Sequence, residues 1–345
     1  MQWVIREAPE GWIDLVPEGM PGILGRLLAQ RGIHCDEVER FLRPRLAELT
    51  DPFEIPEIEL AVGRILHAID KKEHVCVYGD YDVDGVSSIA VLCKTLEAYG
   101  LKPDSFIPRR SSEGYGLSDG GLERCLNECG KPDLMISVDC GTVSNEAIAM
   151  LKSKGIDTVV VDHHEIGPDG RPDCVALVNP KASGHTHNYL CAAGVVFKLA
   201  HALLKRRPLE TFDLKSVLDL VAVATISDIV PLVDENRLLV RHGLRKLENS
   251  VRPGLRALLK LTGTEGRLSS SDIGFRIGPR LNAAGRMDQP EKALAILMTE
   301  CSNKALDLAD ELENFNRNRQ QLEQAIFAEA MAMLKDSFNE PVIVV

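Results

Sequence analysis

From residue 58 onward the chain alternates two kinds of apolar pattern. Short unbroken apolar runs at residues 75–78, 134–138 and 158–161 are separated by longer stretches whose apolar residues recur every three or four positions. An unbroken run of four or five residues offers no polar face, so it predicts a strand covered on both sides. The longer spacing predicts a helix with one buried face. On this basis helices are expected over residues 60–69, 86–98 and 144–154, with a further strand near 175–178. Within the helix at 86–98, Ile89, Leu92, Cys93 and Leu96 share the buried face. Such an alternation predicts an α/β fold, a parallel sheet flanked by helices.

The flanks differ. Residues 1–55 read as a small helical cap, with Leu24, Leu27, Leu28 and Ile33 on an apolar face and Pro44, Pro52 and Pro56 at its exit. Helical segments are expected at 191–205 and 214–227, after which the strand signal fades and residues 237–261 are mixed and helical. Over residues 305–335, Leu308, Leu312, Phe315, Leu322 and Ile326 recur mostly at helical steps, which predicts one long helix that brackets or bridges domains. The last residues, 341–345, are a strand-like apolar run. The expected division is an N-terminal helical extension (1–55), the sheet domain (56–235), a helical region with a long connector (236–338) and the start of a further domain (339–345).

Composition narrows this picture. An apolar share of 45% and a charged share of 26% suit a globular chain with a sizeable core. No stretch approaches a bilayer-spanning length and the N-terminus carries no signal-peptide core, so a soluble cytoplasmic protein is expected. The nine cysteines are odd in number and form no Cys-x-x-Cys pair, which reads as buried reduced thiols such as Cys76, Cys93 and Cys140. A net charge of −11 argues against a broadly basic nucleic-acid coat, and an aromatic share of 5% leaves few platforms for stacked bases. Any nucleic-acid path must be a local basic groove.

The candidate chemistry sits where strands end. The run at 75–78 leads into Asp80, Asp82 and Asp84, the run at 134–138 into Asp139, and the run at 158–161 into Asp162, His163 and His164. In open α/β sheets ligands bind at the carboxyl ends of strands, so these endings should converge on one cleft. A fourth acid, Asp228, closes the helical stretch before Pro231. Taken singly, a strand-end aspartate is more often a helix N-cap; Asp139 could cap the helix near Ser144, and Asp162 whatever follows it. Together, Asp82, Asp84, Asp139, His163 and Asp228 form a carboxylate and imidazole set suited to Mn²⁺ or Mg²⁺ rather than structural Zn²⁺. Two such ions about 3.5–4 Å apart suit phosphoryl hydrolysis.

These residues resemble the motifs of the DHH phosphoesterase superfamily. The wording Asp-Tyr-Asp-Val-Asp-Gly at 80–85 is similar to that of the RecJ single-stranded-DNA exonucleases. Residues 107–110 and 113–117, Val178-Asn179-Pro180-Lys181 and the segment 277–287 extend the resemblance, which runs from near residue 15 to the end. It implies a DHH domain holding two Mn²⁺ or Mg²⁺ ions. Asp82 and Asp84 would take one metal each, Asp139 would bridge them, and His163 and Asp228 would complete the second site. Asp80 falls near a ligand that pyrophosphatase-type members draw from a histidine, and Tyr78 stands where that histidine would be. His164 would approach the scissile phosphate, acting with Asp139 and Asp82, while Asp162 supports the site from behind.

The resemblance also implies a substrate grip. Arg110, Arg280, Asn282 and Arg286 would hold backbone phosphates, since a planar guanidinium matches a phosphate bidentately, although each arginine could equally serve a structural ion pair. Arg110 suits the family spacing better than Arg109, and Tyr115 would contact a base or anchor its loop. The implied activity is 5′ to 3′ exonuclease action on single-stranded DNA, releasing 5′-mononucleotides in recombination and DNA repair. A single-strand-binding protein and a helicase would be its partners. Three other readings stand beside it. One is a DHH phosphodiesterase acting on short oligonucleotides or cyclic dinucleotides. Another is a binding scaffold, against which the full set of motif acids argues. The third is a core that binds metal but cuts little, because the family's glycine- and histidine-rich substrate loop is not found within these residues.

Overall fold

The computed structural model describes Val4 and residues 7–16, 19–264 and 266–333. The strand-like run expected at 341–345 lies outside the described residues. The chain divides into two compact units, Met1–Thr50 and Asp51–Val345. The first carries helices α1 (Gly22–Ala29) and α2 (Val38–Leu42). Its small core is Leu28, Ala29 and Val38, with Trp12, Leu24, Ile33, Phe41 and Leu42 packed against it.

The second unit opens with α3 (Ile58–Lys71), which leads into β1 (Val75–Gly79), α4 (Val83–Ala98) and β2 (Asp104–Phe106). Then come the short α5 (Arg110–Glu113), α6 (Asp119–Cys129), β3 (Leu134–Val138), α7 (Asn145–Ser153), β4 (Asp157–Val161) and β5 (Ala176–Val178). The five strands form one parallel sheet in the order β2-β1-β3-β4-β5. Four of these strands match the apolar runs. The edge strand β2 was not expected, because Asp-Ser-Phe with its first two residues exposed carries no apolar run.

The order has a functional consequence. After β1 the chain places β2 on one side, then returns to build β3, β4 and β5 on the other. The direction of winding reverses between β1 and β3, and a crevice opens at the carboxyl ends of strands at such a point.

Helices cover both faces of the sheet. On one, Cys76, Tyr78, Met135 and Val160 from the strands pack with Leu122 and Cys125 of α6 and Ile148 and Leu151 of α7. On the other lies α4, buried from Val83 through Cys93, with α8 (Ala192–Arg206) and α9 (Leu218–Ser227) against it. The residues of α9 from Leu218 to Ile226 are all buried, so this helix has no polar face to show. A buried ion pair, Lys198 Nζ to Glu235 Oε2 at 3.0 Å, ties α8 to α10 (Asp234–Glu248).

The remainder is helical: α11 (Pro253–Leu261), a single turn α12 (Ser270–Asp272), α13 (Gly278–Arg286), α14 (Pro290–Met298) and α15 (Ser302–Met333). The long helix buries Leu308 and Leu312 in its first half, but Leu322 and Ile326, expected on the same stripe, are exposed.

Tyr78 belongs to the core. Its ring stacks on Phe106 at 5.2 Å and its hydroxyl donates to the Gly116 carbonyl at 3.0 Å. Because side chains alternate along a strand, Tyr78 faces α6, away from the helix that carries the aspartates. Replacing Tyr78 by Phe is therefore expected to lower stability by about 1 kcal/mol in urea unfolding, through the loss of one buried hydrogen bond, the Gly116 carbonyl keeping its bond from Ser118 N. Divalent-metal affinity should be unchanged; a loss of it would show that the phenol serves the acidic centre after all.

Candidate metal centre

The acids at the ends of β1, β3 and β4 face a crevice, and each is fixed by a different local device. Asp82 is the N-cap of α4: its Oδ1 accepts from the amides of Asp84 at 2.8 Å and Gly85 at 3.1 Å. This cap starts the helix at Val83, three residues before the apolar spacing suggested, and carries Asp84 into its buried first turn. Gly85 is required there, since a Cβ would collide with the Asp80 carbonyl oxygen. Asp84 is 1% exposed, and its two oxygens accept from Ala192 N at 2.7 Å and Ala193 N at 2.9 Å. These are first-turn amides of α8, so the positive end of a helix meets a fully buried carboxylate.

Asp139 adopts a left-handed backbone, φ 59°, directly after β3, with its amide bonded to Val161 O at 3.0 Å. It does not cap the next helix; Ser144 occupies the N-cap of α7. Asp162 caps no helix either. Its Oδ1 accepts from the amides of His163 and His164 and from His164 Nδ1 at 2.7 Å, and its Oδ2 accepts from Thr142 N at 3.0 Å. Asp228 follows the last residue of α9 at the helix C-cap.

The donor atoms of Asp80, Asp82 and Asp139 lie within 4.8 Å of one another, as do those of Asp84, His163 and Asp228, and those of Asp139, His163 and His164. His163 Nε2 is 3.3 Å from Asp139 Oδ1 and 3.8 Å from both Asp84 Oδ2 and Asp228 Oδ2, so Asp139 stands between the two acidic groups. Buried carboxylate oxygens normally find donors. Asp80 Oδ1, Asp139 Oδ1 and Asp228 Oδ2 have no hydrogen-bond partner among the described residues. Orphaned anionic oxygens around a single imidazole are the donor set of a hard divalent cation, so these residues fit one.

The electrostatics agree. Burial and then Asp82 push the Asp80 carboxyl up to about 7. Burial and then Asp82 raise Asp228 to about 6. Asp84 and Asp139 are raised well above the usual carboxylate range, by burial first and by neighbouring aspartates second. Burial pushes His163 down to about 4, which keeps the imidazole neutral and able to coordinate. Asp162 is the exception. Burial works against its charge, but bonds from His164 and Thr142 win and hold it below the usual range. In return, Asp162 raises His164.

Around this core the other expected residues separate. Tyr115 donates or accepts at His164 Nε2, 2.9 Å away, and meets the Tyr81 ring edge-on. Arg110 lies over the Tyr81 ring at 5.5 Å. Arg110 and Arg286 are exposed and make no ion pair among the described residues. Arg280 is engaged: its Nε bonds Glu313 of α15 at 2.6 Å and its NH1 bonds the Arg276 carbonyl. Asn282 is engaged too, its Oδ1 accepting from Val83 N at 3.0 Å. Helix α13 thus braces the aspartate loop, helped by Gly285, where a Cβ would stand 2.6 Å from Tyr81 O.

Sequence reasoning did not assign roles to Thr142, Asn179 or the α8 amides. Asn179 Nδ2 bonds Thr142 Oγ1 and the His164 carbonyl, each at 2.8 Å, locking the loops after β3 and β4 together. Its place at the end of β5, within the segment 178–181 that extends the resemblance, was the available signal.

The DHH family, N-terminal domain, matches residues 74–225. The single-stranded-DNA-specific exonuclease RecJ of Bacillus subtilis is 39% identical over 97% of this chain and 42% of its own length. A crystal structure of exonuclease RecJ bound to manganese superposes with a TM-score of 0.75 at 34% identity, over 81% of this chain and 71% of that one. RecJ of Thermus thermophilus in complex with Mn²⁺ gives a TM-score of 0.79 at 30% identity, over 94% of this chain and 46% of that one. The chain spans less than half of the Bacillus subtilis protein.

The charge pattern sets a pH dependence for the chelator-treated chain. Asp80, Asp84, Asp139 and Asp228 have folded-state pKa values above the unfolded value of about 3.9. Each contributes stability that is fully present below that value and lost as pH rises through the folded one; His164, raised by Asp162, behaves alike from its own unfolded value. His163, depressed to about 4, works oppositely and adds stability up to about pH 6.5. Asp162 adds stability only as pH rises towards about 4. The four carboxylates outweigh one imidazole. The thermal midpoint is therefore expected to fall from about pH 5 to about pH 8, and Mn²⁺ to raise it most at the upper end. A midpoint that climbs over this range without metal would contradict the assignment.

Proposed function

The chain belongs to the RecJ family of exonucleases, and from that premise we propose that it is a metal-dependent phosphodiesterase that degrades single-stranded DNA from the 5′ end to 5′-mononucleotides. The observation that carries this reading is the pair of donor triads, each with two buried members, that share one neighbourhood around Asp139. In this reading Asp80, Asp82 and Asp139 would hold one Mn²⁺ or Mg²⁺, and Asp84, His163 and Asp228 would hold the other, with Asp139 beside both groups. When bound, such ions lower the pKa of a water nucleophile and offset the charge of the phosphoryl transition state.

The chain's own residues do the rest. Asp162 orients His164 through Nδ1 and favours its protonated form; Nε2, which now meets the Tyr115 hydroxyl at 2.9 Å, is the atom that would turn to a phosphate oxygen. The Tyr115 hydroxyl meets that nitrogen and aligns the ring. Arg110 and Arg286, exposed and free of ion pairs among the described residues, are assigned to backbone phosphates. Arg280 and Asn282, tied to Glu313 and Val83, are assigned to holding the loop that presents Asp82. A role in recombination and DNA repair, beside a single-strand-binding protein and a helicase, follows from the same family reading.

Replacing Asp139 by Ala is expected to abolish saturable Mn²⁺ binding and to reduce hydrolysis of a long 5′-phosphorylated single strand by at least about 10²-fold. Retention of both properties would sink the assignment. Turnover faster on dinucleotides than on the long strand would instead favour a small-oligonucleotide phosphodiesterase. Asp162→Asn should cost about 10–100-fold in activity with the fold intact, and should change the pH–rate profile. An unchanged profile would remove Asp162 from the His164 pair.

A further inference from the structure

Three cysteines from separate parts of the chain meet on the face of the sheet covered by α6. Cys76 lies on β1, four residues ahead of Asp80, which is about 13 Å along a strand. Cys125 and Cys129 sit one helical turn apart on α6. The three sulfurs are all within 4.8 Å of one another, and Cys76 Sγ is 3.7 Å from Cys125 Sγ. Cys76 and Cys125 are buried, while Cys129 is partly exposed at the outer end of the group. We propose that these thiols form a binding site for a thiophilic divalent cation of the zinc class, separate from the acidic centre.

Geometry is the first argument. A tetrahedral site with Zn–S bonds of about 2.3 Å has sulfur–sulfur edges of about 3.8 Å. The pair from β1 and α6 already stands at 3.7 Å, so the third sulfur needs only a side-chain adjustment to close the face. Two ligands at i and i+4 on a helix, completed by one from a strand, form a convergent set.

The surroundings decide what such a cluster is for. Cys129 is the last residue of α6, where the helix dipole is negative. Asp104 is the direct register partner of Cys76 across β1 and β2, and Glu128 precedes Cys129. Reactive redox thiolates sit in electropositive settings, which this is not. Asp104 and Glu128 oppose a free thiolate, but the neighbouring Cys76 thiol outweighs them and holds Cys129 down to about 7, so this sulfur can deprotonate to meet a cation. Asp104 is paired with His74 Nε2 at 2.7 Å and is not among the three grouped donors, so a water from the exposed side is the candidate for the fourth position. Donor softness separates the two centres, because three sulfurs select zinc-like ions while the aspartates select Mn²⁺ or Mg²⁺. The site would clamp α6 to β1, the strand that ends in the aspartate loop.

The test is a Co²⁺ titration of the reduced, chelator-treated chain, followed by absorbance. A sulfur-to-cobalt charge-transfer band should saturate at one ion per chain and vanish when Zn²⁺ is added. The acidic centre holds no sulfur and cannot produce this band. Cys129→Ser, at the partly exposed position, should lose most of the band and bind Co²⁺ at least about 10-fold more weakly, with Mn²⁺ binding at the acidic centre unchanged. Zn²⁺ should also protect Cys129, the partly exposed member of the three, from alkylation in the unaltered chain. No charge-transfer band, an equal band in Cys129→Ser, or no protection of Cys129 would each overturn the proposal.

Discussion

The structure is organised around mutual repulsion among buried carboxylates. Asp80, Asp84, Asp139 and Asp162 are each no more than 2% exposed, and Asp82 and Asp228 adjoin them. So much negative charge in a low-dielectric crevice cannot persist without compensation. The chain offsets part of it with fixed backbone donors. The first amides of α8 serve Asp84, those of α4 serve Asp82, and the loop amides after β3 and β4 serve Asp162. What remains uncompensated is concentrated on Asp80, Asp139 and Asp228, whose free oxygens are the ones a cation would meet.

This division of labour explains why neighbouring acids behave so differently. Asp162 and Asp139 end adjacent strands and are equally buried, yet one is held ionised and the other is driven towards its neutral form. The difference is the donors aimed at Asp162. They turn it into an anchor for His164, while Asp139, which lacks them, keeps an oxygen without a hydrogen-bond partner among the described residues. The supporting helices belong to the same scheme. Helix α13, distant in sequence, brings Asn282 to the Val83 amide and Gly285 to the Tyr81 carbonyl, and so fixes the loop that carries Asp80 and Asp82.

Much of this was legible in the residue pattern, and the failures have physical causes. The unbroken apolar runs identified β1, β3, β4 and β5 because strands buried on both faces cannot hide a polar residue. The edge strand β2 escaped notice, since three residues with one exposed side need no apolar run. The start of α4 was placed late because a side-chain cap, not apolar spacing, begins that helix. Leu322 and Ile326 fit a buried stripe by period, yet period reports only which residues share a face, not whether anything covers it. Arg280 and Arg286 are indistinguishable as residue types; only the position of Glu313 separates the paired one from the unpaired one.

The sequence by itself determined the class of chemistry: aspartates and a histidine at the ends of apolar strands, a hard-cation donor set on a parallel sheet. It could do so because strand ends and ligand types are local properties, written within a few residues. The tertiary structure decided which donors share a neighbourhood and what each one faces. The winding reversal between β1 and β3, the α8 amides beneath Asp84, the bond from α13 to the Val83 amide and the meeting of Cys76 with Cys125 and Cys129 all join residues far apart in the chain. Distance and burial between such residues set the electrostatics, and neither is a property of any local stretch.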